Sequence, residues 1–217
     1  MLKSICDLSV LMITPLCIAL MVSLSLLASS SVNKATVGPP EGFFLKQNAV
    51  SEETWKILKT WINTDLLDNE HTPIPWQIGA QNRQVAQFGF RYDYTKHVVD
   101  TTTPTVQIPP KLNELLHVDN SYAYTQCIIN RYEPDILIPW HKDDLDFGPT
   151  VSVFTFGEAR PLLLRLADDH KMTHAATPGH CSKYSLSESS RYEWEHMVPT
   201  GSEFRVSITF RTHKNDP

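Results

Sequence analysis

Positive charge is scarce in this sequence. Its 217 residues include 19 Lys and Arg against 24 Asp and Glu, which gives a formal net charge of −5 at pH 7. A chain with this balance has no broad basic field to attract a phosphate backbone, so the composition does not support a nucleic-acid partner. Hydrophobic residues make up 41% and charged residues 20%, which excludes a disordered or fibrous protein and indicates a globular one.

Cysteine and glycine are also few. Of the four cysteines, Cys6 and Cys17 fall in an N-terminal apolar stretch. The other two, Cys127 and Cys181, belong to no CxxC or Cys/His pattern with zinc-finger spacing, so neither a disulfide framework nor a zinc finger is predicted. Eight glycines against 15 prolines predict many short, stiffened connections rather than long helices.

The N-terminal stretch has no charged residue from Leu8 to Asn33, and Leu8–Ala28 is almost continuously apolar. Small residues follow it, which is the pattern of a targeting segment, and its length approaches the roughly 20 residues that span a bilayer. We therefore predict a signal peptide or membrane anchor over residues 1–33. The protein would then be membrane-anchored, or routed through the secretory pathway or to an organelle. A buried core helix is the alternative.

The rest of the sequence predicts a linker and one domain. Gly38-Pro39-Pro40 indicates a stiff linker over residues 34–42, and the remaining 43–217 suit a single domain with its own core. Ser51 is a capping hydroxyl that opens an amphipathic helix, and Pro109-Pro110 precedes a second, short helix. The apolar face of the first helix is Trp55, Leu58, Ile62 and Leu66.

Beyond Ser121 the sequence changes to short runs of β-branched and aromatic residues separated by turn residues. These runs are Tyr124–Tyr132, Val151–Phe156, Leu162–Leu166 and Phe204–Arg211. Helices first and strands afterwards is the order of an α+β protein built on an antiparallel sandwich or jelly roll.

Two local patterns suggest ligands for a metal and for a dicarboxylate. In His141-Lys142-Asp143 an imidazole and a carboxylate are two residues apart, so on an extended segment they point to the same side. His196 is a third candidate, 55 residues after His141. The last strand alternates strictly, and one of its faces carries two arginines and two hydroxyls: Arg205, Ser207, Thr209 and Arg211. A solvated face is the usual explanation, but two arginines flanking hydroxyls also form a receptor for a dicarboxylate.

Taken in order, these motifs resemble the AlkB family of oxygenases over about 90 residues, with weaker similarity at Arg83–Tyr94. The motifs are Asn130-Arg131-Tyr132, His141-x-Asp143, Arg191-Tyr192-x-Trp194-x-His196 and Arg205-x-Ser207-x-Thr209-Phe210-Arg211. The resemblance implies an Fe(II)- and 2-oxoglutarate-dependent dioxygenase. It also implies a double-stranded β-helix (jelly roll) with N-terminal helices packed on the sheet, whose motif-bearing core is 121–213.

The resemblance also implies a role for each matching residue. His141, Asp143 and His196 would hold Fe(II) as a facial triad, which leaves positions for 2-oxoglutarate and O2. Arg205 would bind the distal carboxylate of 2-oxoglutarate with Tyr132 and Ser207, and Arg211 and Asn130 would lie near its keto-acid end. The family often has asparagine at the position of Ser207, and the connection from His196 to Arg205 is short compared with that of many relatives.

Other side chains near these motifs compete for the same roles. Asp144 is an alternative carboxylate, but on an extended segment it would point away from His141, so Asp143 is preferred. The histidines at 170, 174 and 180 form a loose group that could suggest zinc. They lie in a polar stretch without regular period, and we expect a loop there.

The resemblance points to alkylated or modified nucleobases of RNA or DNA as the substrate, with oxidation of a C–H bond and demethylation as the outcome. Tyr92 and Tyr94 could stack on a base, with Arg83 and Lys96 near a phosphate path. Packing of these aromatic residues in a core or lid is the alternative. The same chemistry on a protein side chain or small molecule, or a binding module without turnover, are the competing hypotheses. We expect a monomer.

Overall fold

Two β-sheets form the frame of the domain. The structure is a computed structural model that describes residues 35–64, 77–78, 83–100, 102, 106–118 and 124–214. The strands are β1 (Ala35–Thr36), β2 (Phe44–Lys46), β3 (Gln77–Ile78), β4 (Gln84–Gly89), β5 (Arg91–Asp93), β6 (Val98–Asp100), β7 (Gln126–Tyr132), β8 (Ile138–His141), β9 (Phe147–Gly157), β10 (Leu162–Leu166), β11 (Met172–Ala176), β12 (Ser182–Leu186), β13 (Trp194–Val198) and β14 (Arg205–His213). The helices are α1 (Glu52–Thr64), α2 (Pro110–Leu116) and α3 (Glu188–Tyr192).

The larger sheet has the strand order β2-β12-β9-β14-β7-β4-β3, and the smaller one has the order β1-β11-β10-β13-β8. A separate hairpin is formed by β5 and β6. Except for the parallel pair β1–β11, the described neighbours are antiparallel. This is the predicted jelly roll. Within the predicted linker, Ala35 and Thr36 form β1 and pair with Met172 and Thr173 of β11.

Apolar side chains pack on both faces of the larger sheet because successive residues of a strand point to opposite faces. One core cluster joins Val206, Ile208 and Phe210 of β14 to the helices. The other cluster joins Val151 and Val153 of β9 to the smaller sheet. The polar row of β14 faces away from the helices, and this orientation places it between the two sheets.

Helix α1 begins as its sequence predicts. The Ser51 hydroxyl accepts a hydrogen bond from the backbone N–H of Thr54 at 3.0 Å, which caps the first turn. The buried residues of the helix are Trp55, Leu58 and Ile62. The Trp55 ring stacks on Phe156 of the larger sheet with ring centroids 4.6 Å apart. The helix therefore packs on the sheet as predicted; Leu66 lies outside the described residues.

The predicted membrane or secretory localisation is wrong. Within the ranges that the structure describes, no helix is long and apolar enough to cross a bilayer. Helix α1 has 13 residues, whereas a span needs about 20. The segment 1–33, from which this localisation was predicted, lies outside the described residues.

Candidate functional site

Strand pairing brings the two predicted histidine ligands together. His141 ends β8, His196 lies in the middle of β13, and the two residues are direct partners in that antiparallel pair. Their ring centroids are 4.2 Å apart. The Nδ1 of His141 donates a hydrogen bond to the carbonyl of Pro139 at 2.8 Å, because a carbonyl can only accept. This bond leaves the Nε2 lone pair of His141 free for a metal.

Asp143 completes the group two residues after β8. Its Oδ2 lies 3.8 Å from Nε2 of His196, and its Oδ1 accepts a hydrogen bond from Nη1 of Arg211 at 2.6 Å. Two atoms that each bond one ion at about 2.1 Å are at most about 4.2 Å apart. The 3.8 Å between Oδ2 of Asp143 and Nε2 of His196 is therefore compatible with a shared ion. The competing Asp144 instead accepts a hydrogen bond from the backbone N–H of Asp146 at 2.9 Å.

Arg191 fixes the backbone of the loop that carries Asp143. Its guanidinium is buried and donates to three carbonyls, those of Asp143 at 2.9 Å, Asp144 at 2.6 Å and Phe147 at 3.2 Å. Arg191 belongs to the family motif, but no role was predicted for it. The contact joins α3 to a loop more than 40 residues away, so local sequence carries no signal for it.

Burial and charge give Asp143 and His196 the protonation states that metals require. Burial alone would raise the pKa of Asp143, but the positive charge of Arg211 holds that pKa below its ordinary value. Burial, with His141 next to it, lowers the pKa of His196 to about 3. A carboxylate and neutral imidazoles are the forms that coordinate a divalent ion, and this donor set fits Fe(II).

A second group of predicted residues surrounds Arg205. Arg205 pairs with Tyr132 across β14 and β7, and its guanidinium carbon lies 4.8 Å from the centroid of the Tyr132 ring. The hydroxyls of Tyr132 and Ser207 are 3.1 Å apart. Arg205 is 1% exposed, and its Nε and Nη1 have no hydrogen-bond partner among the described residues. Buried unpaired donors are costly, and a carboxylate such as that of 2-oxoglutarate would satisfy them.

Asn130 connects this group to Arg83. Its Oδ1 accepts a hydrogen bond from Nε of Arg83 at 3.1 Å, and its Nδ2 donates to the Ser207 hydroxyl at 3.4 Å. Arg211 lies at the other end of the polar row, with its guanidinium carbon 4.0 Å from the centroid of the Phe147 ring. The eight residues predicted for the metal and 2-oxoglutarate thus lie on β7, β8, β13, β14 and the loop after β8.

Comparison with known proteins agrees with this geometry. Residues 44–211 match the model of the family described as the 2OG-Fe(II) oxygenase superfamily. The chain belongs to that superfamily. It is therefore a 2-oxoglutarate-dependent dioxygenase that uses Fe(II), 2-oxoglutarate and O2, as predicted. A solved structure titled "The structure of OsALKBH1" has a similar fold, with a TM-score of 0.62, 13% identity and coverage of 82% of this chain and 100% of that one. Among curated proteins, none matches the chain.

A cavity of ≈ 380 Å³ opens next to the candidate metal ligands of this oxygenase. Arg83, Tyr92 and Tyr94 contribute to its wall. Lys96 does not line it; its side chain is 76% exposed and lies 3.6 Å from the Asp93 carboxylate. Arg83 is 7% exposed and bonded to Asn130, so it lies in the cavity wall rather than on the outer surface.

Tyr184 was not predicted and belongs to the same site. It lies on β12, lines the cavity and is buried. Burial raises the pKa of its hydroxyl, the positive charge of Arg205 opposes that rise, and Tyr132 adds to it. Arg205 itself is not among the lining residues, but Tyr132 and Tyr184 beside it are. The alternation of buried residues along Ser182–Leu186 is the signal that could have identified an inward Tyr184.

The histidine group at 170, 174 and 180 does not form a zinc site. His174 lies in β11 rather than in the predicted loop, and His170 lies near Glu195. His180 does approach Glu52 and Cys181, with ligand-type atoms within 4.8 Å of one another. However, its Nδ1 accepts the backbone N–H of Gly157 at 2.8 Å, so Nε2 carries the proton that it donates to Glu52 at 2.9 Å. A protonated Nε2 has no lone pair to offer a metal.

Proposed function

We propose that this oxygenase oxidises a C–H bond of an alkylated or modified nucleobase in RNA or DNA, with His141, Asp143 and His196 as the Fe(II) ligands. The observation that carries the proposal is the convergence of these three side chains at the edge of a cavity that also reaches the hydroxyls next to Arg205. One cavity therefore offers donors for a metal, for a dicarboxylate and for a third molecule.

When bound, Fe(II), 2-oxoglutarate and O2 supply the oxidation of a substrate C–H bond, with succinate and CO2 as co-products. The residues of the chain hold these partners in place. Arg211 balances the charge of Asp143, and the bond from His141 to Pro139 fixes the orientation of that ring. The distal carboxylate is assigned to the unpaired donors of Arg205. A hydroxylated N-methyl group would then leave as formaldehyde, which completes a demethylation.

The cavity wall supports a planar substrate. Tyr92 and Tyr94 form an edge-to-face pair with ring centroids 5.1 Å apart. The side-chain amide of Gln87 fixes the Tyr92 backbone by two hydrogen bonds, of 2.7 and 3.1 Å. An aromatic wall of fixed position suits a base that is taken from a single strand or turned out of a duplex. His97 and the exposed Lys142 also line this opening and would approach the nucleic-acid backbone on either side of that base.

A second candidate is the same oxidation on a protein side chain or a small molecule. The net charge of −5 favours it, because a nucleic-acid enzyme gains affinity from counterion release at basic surfaces. Aromatic walls and a cavity of this size also accommodate an alkylated amine or a small apolar ligand. The two candidates share their metal and cosubstrate residues and differ only in the molecule that enters.

The test is a turnover screen of the full chain with Fe(II) and 2-oxoglutarate. Methylated RNA, methylated DNA and methylated peptides are compared, and succinate and formaldehyde are both quantified. We expect an oligonucleotide to stimulate the formation of succinate and formaldehyde in equal amounts. Stimulation by peptides alone would favour the second candidate. His141→Ala should abolish turnover, whereas His117→Asn, at an exposed histidine with φ 45° that asparagine tolerates, should retain it.

A further inference from the structure

The strand that carries His141 is weakly fixed by its backbone. β8 is at the edge of the smaller sheet and pairs only with β13 among the described strands. This pairing is irregular: His141 lies opposite His196 and Ile138 opposite Val198, so three steps along β8 match two along β13. A bulged edge strand has few ladder hydrogen bonds to hold its position. The spacing of the two histidines therefore depends on further contacts.

One side chain makes such a contact from β10, on the far side of β13. Arg165 lies directly opposite Glu195, and its Nη2 and Nε both approach Oε2 of Glu195 at 2.6 Å. The same guanidinium lies over the indole of Trp140, with its carbon 4.3 Å from the ring centroid. Arg165 thereby links three strands, because Trp140 belongs to β8 and Glu195 to β13.

The two partners of Arg165 are the residues that immediately precede the candidate metal ligands. Trp140 precedes His141, and Glu195 precedes His196. Along β13 the odd-numbered Glu195 is partly exposed while His196 is buried, so these two side chains occupy opposite faces. His170, whose Nε2 lies 3.7 Å from Oε2 of Glu195, borders the same outer face.

We propose that Arg165 is a positioning residue that holds β8 against β13 from outside the site and so sets the spacing of His141 and His196. This rests on the proposed roles of those histidines as metal ligands. A cation stacked on an indole and paired with a carboxylate contributes little to overall stability when it is partly exposed. Its effect falls instead on ligand geometry, where small displacements weaken a metal site.

The experiment is a Co(II) titration of the full chain. Binding is measured by calorimetry, and the coordination of the bound ion is monitored by its visible spectrum. Arg165→Met removes the guanidinium and keeps much of the side-chain volume. Arg131→Met is the matched control, because Arg131 lies on the larger sheet and its side chain is as exposed as that of Arg165 (24% against 23%). Arg131 also pairs with a carboxylate, that of Glu133 at 3.2 Å, and its guanidinium carbon lies 5.1 Å from the centroid of the Phe204 ring. Arg165→Lys keeps a cation near Glu195 but not the planar stack on Trp140.

We expect Arg165→Met to raise the Kd for Co(II) by about tenfold and to change the spectrum, with Arg165→Lys in between and Arg131→Met unchanged. Equal Kd and spectra for the wild type and Arg165→Met would overturn the proposal, as would an equal loss in Arg131→Met. If Arg165→Met does not fold, the comparison of Arg165→Lys with the wild type decides in the same way. Failure of the wild type to bind Co(II) would instead count against the proposed function.

Discussion

The Nη1 of Arg211 lies 2.6 Å from Oδ1 of Asp143, and both side chains are about nine-tenths buried. Removing one member of such a pair leaves the other charge buried without compensation, which costs about 3–5 kcal/mol. We therefore expect Arg211→Met to lower the unfolding temperature in EDTA. Because an added cation would restore the balance, Mn(II) should raise that temperature more in the variant than in the wild type.

Lys214→Met is the control for this measurement. It removes an exposed ion pair with Asp146, at the end of the loop that carries Asp143, and should cost no more than about 1 kcal/mol. An equal response of Arg211→Met and wild type to Mn(II) would show that the ion does not compensate the charge of Asp143.

Arg205 gives a prediction in which binding and stability change differently. Its two unpaired buried donors stabilise nothing without a ligand, so Arg205→Met should leave the free energy of unfolding unchanged or slightly higher in the absence of 2-oxoglutarate. The Kd for 2-oxoglutarate should rise, by roughly 10- to 150-fold, because about 1.5–3 kcal/mol of charge-assisted bonding is lost. Calorimetric titration and urea unfolding check the two parts. A destabilised variant with normal 2-oxoglutarate binding would mean that Arg205 is structural.

Measurements of KM can distinguish a role of Tyr94 in substrate binding from a role of the nearby Lys96. Tyr94→Ala should raise the KM for the substrate found by the turnover screen, because the ring lines the cavity. Succinate formed without that substrate should stay unchanged, since the candidate metal and 2-oxoglutarate residues are intact. Lys96→Ala should change neither quantity, because Lys96 lies outside the cavity. A raised KM in Lys96→Ala alone would assign substrate binding to the outer surface instead.

The loss of folding stability at acid pH should depend on Glu158, which lies outside the candidate site. Its carboxylate accepts hydrogen bonds from the backbone N–H of Ser202 and Glu203 and from Nε of Arg160. The pKa of Glu158 is lowered to about 2, mainly by the hydrogen bond from the Ser202 backbone N–H and also by the Arg160 guanidinium. A folded-state pKa below the unfolded value stabilises the protein above the unfolded pKa, and this stabilisation is lost as the pH falls through the folded one.

We therefore expect Glu158→Gln to be less stable than the wild type at pH 7 and to approach it between about pH 4.5 and pH 2. Urea unfolding at pH 7 and pH 3 measures the difference. A constant difference at both values would show that the charge of Glu158 does not matter.

Local sequence was enough to predict the parts of the site that lie along one strand. The alternation of β14 placed Arg205, Ser207 and Arg211 on one face, since side-chain direction has a period of two residues. Local sequence also predicted the capped helix α1. The pairing of His141 with His196 came from the family resemblance rather than from periodicity, because strand register over 55 residues is a tertiary property.

What the sequence did not reveal depends on contacts between distant segments. Tyr184 reaches Arg205 only because β12 pairs with β9, and Arg191 reaches the Asp143 loop only because α3 packs near β9. Lys96 was grouped with Tyr92 and Tyr94, which are near it in sequence, but the turn of the β5–β6 hairpin exposes its side chain outside the cavity wall.

The most direct measurement is an anaerobic Fe(II) titration of the full chain, with and without 2-oxoglutarate, on the wild type and on His141→Ala, Asp143→Ala and His196→Ala. The expected result is one Fe(II) per wild-type chain, tighter binding with 2-oxoglutarate present, and loss of binding in each variant. If any one of the three variants binds Fe(II) with the stoichiometry and Kd of the wild type, the proposed metal centre is contradicted.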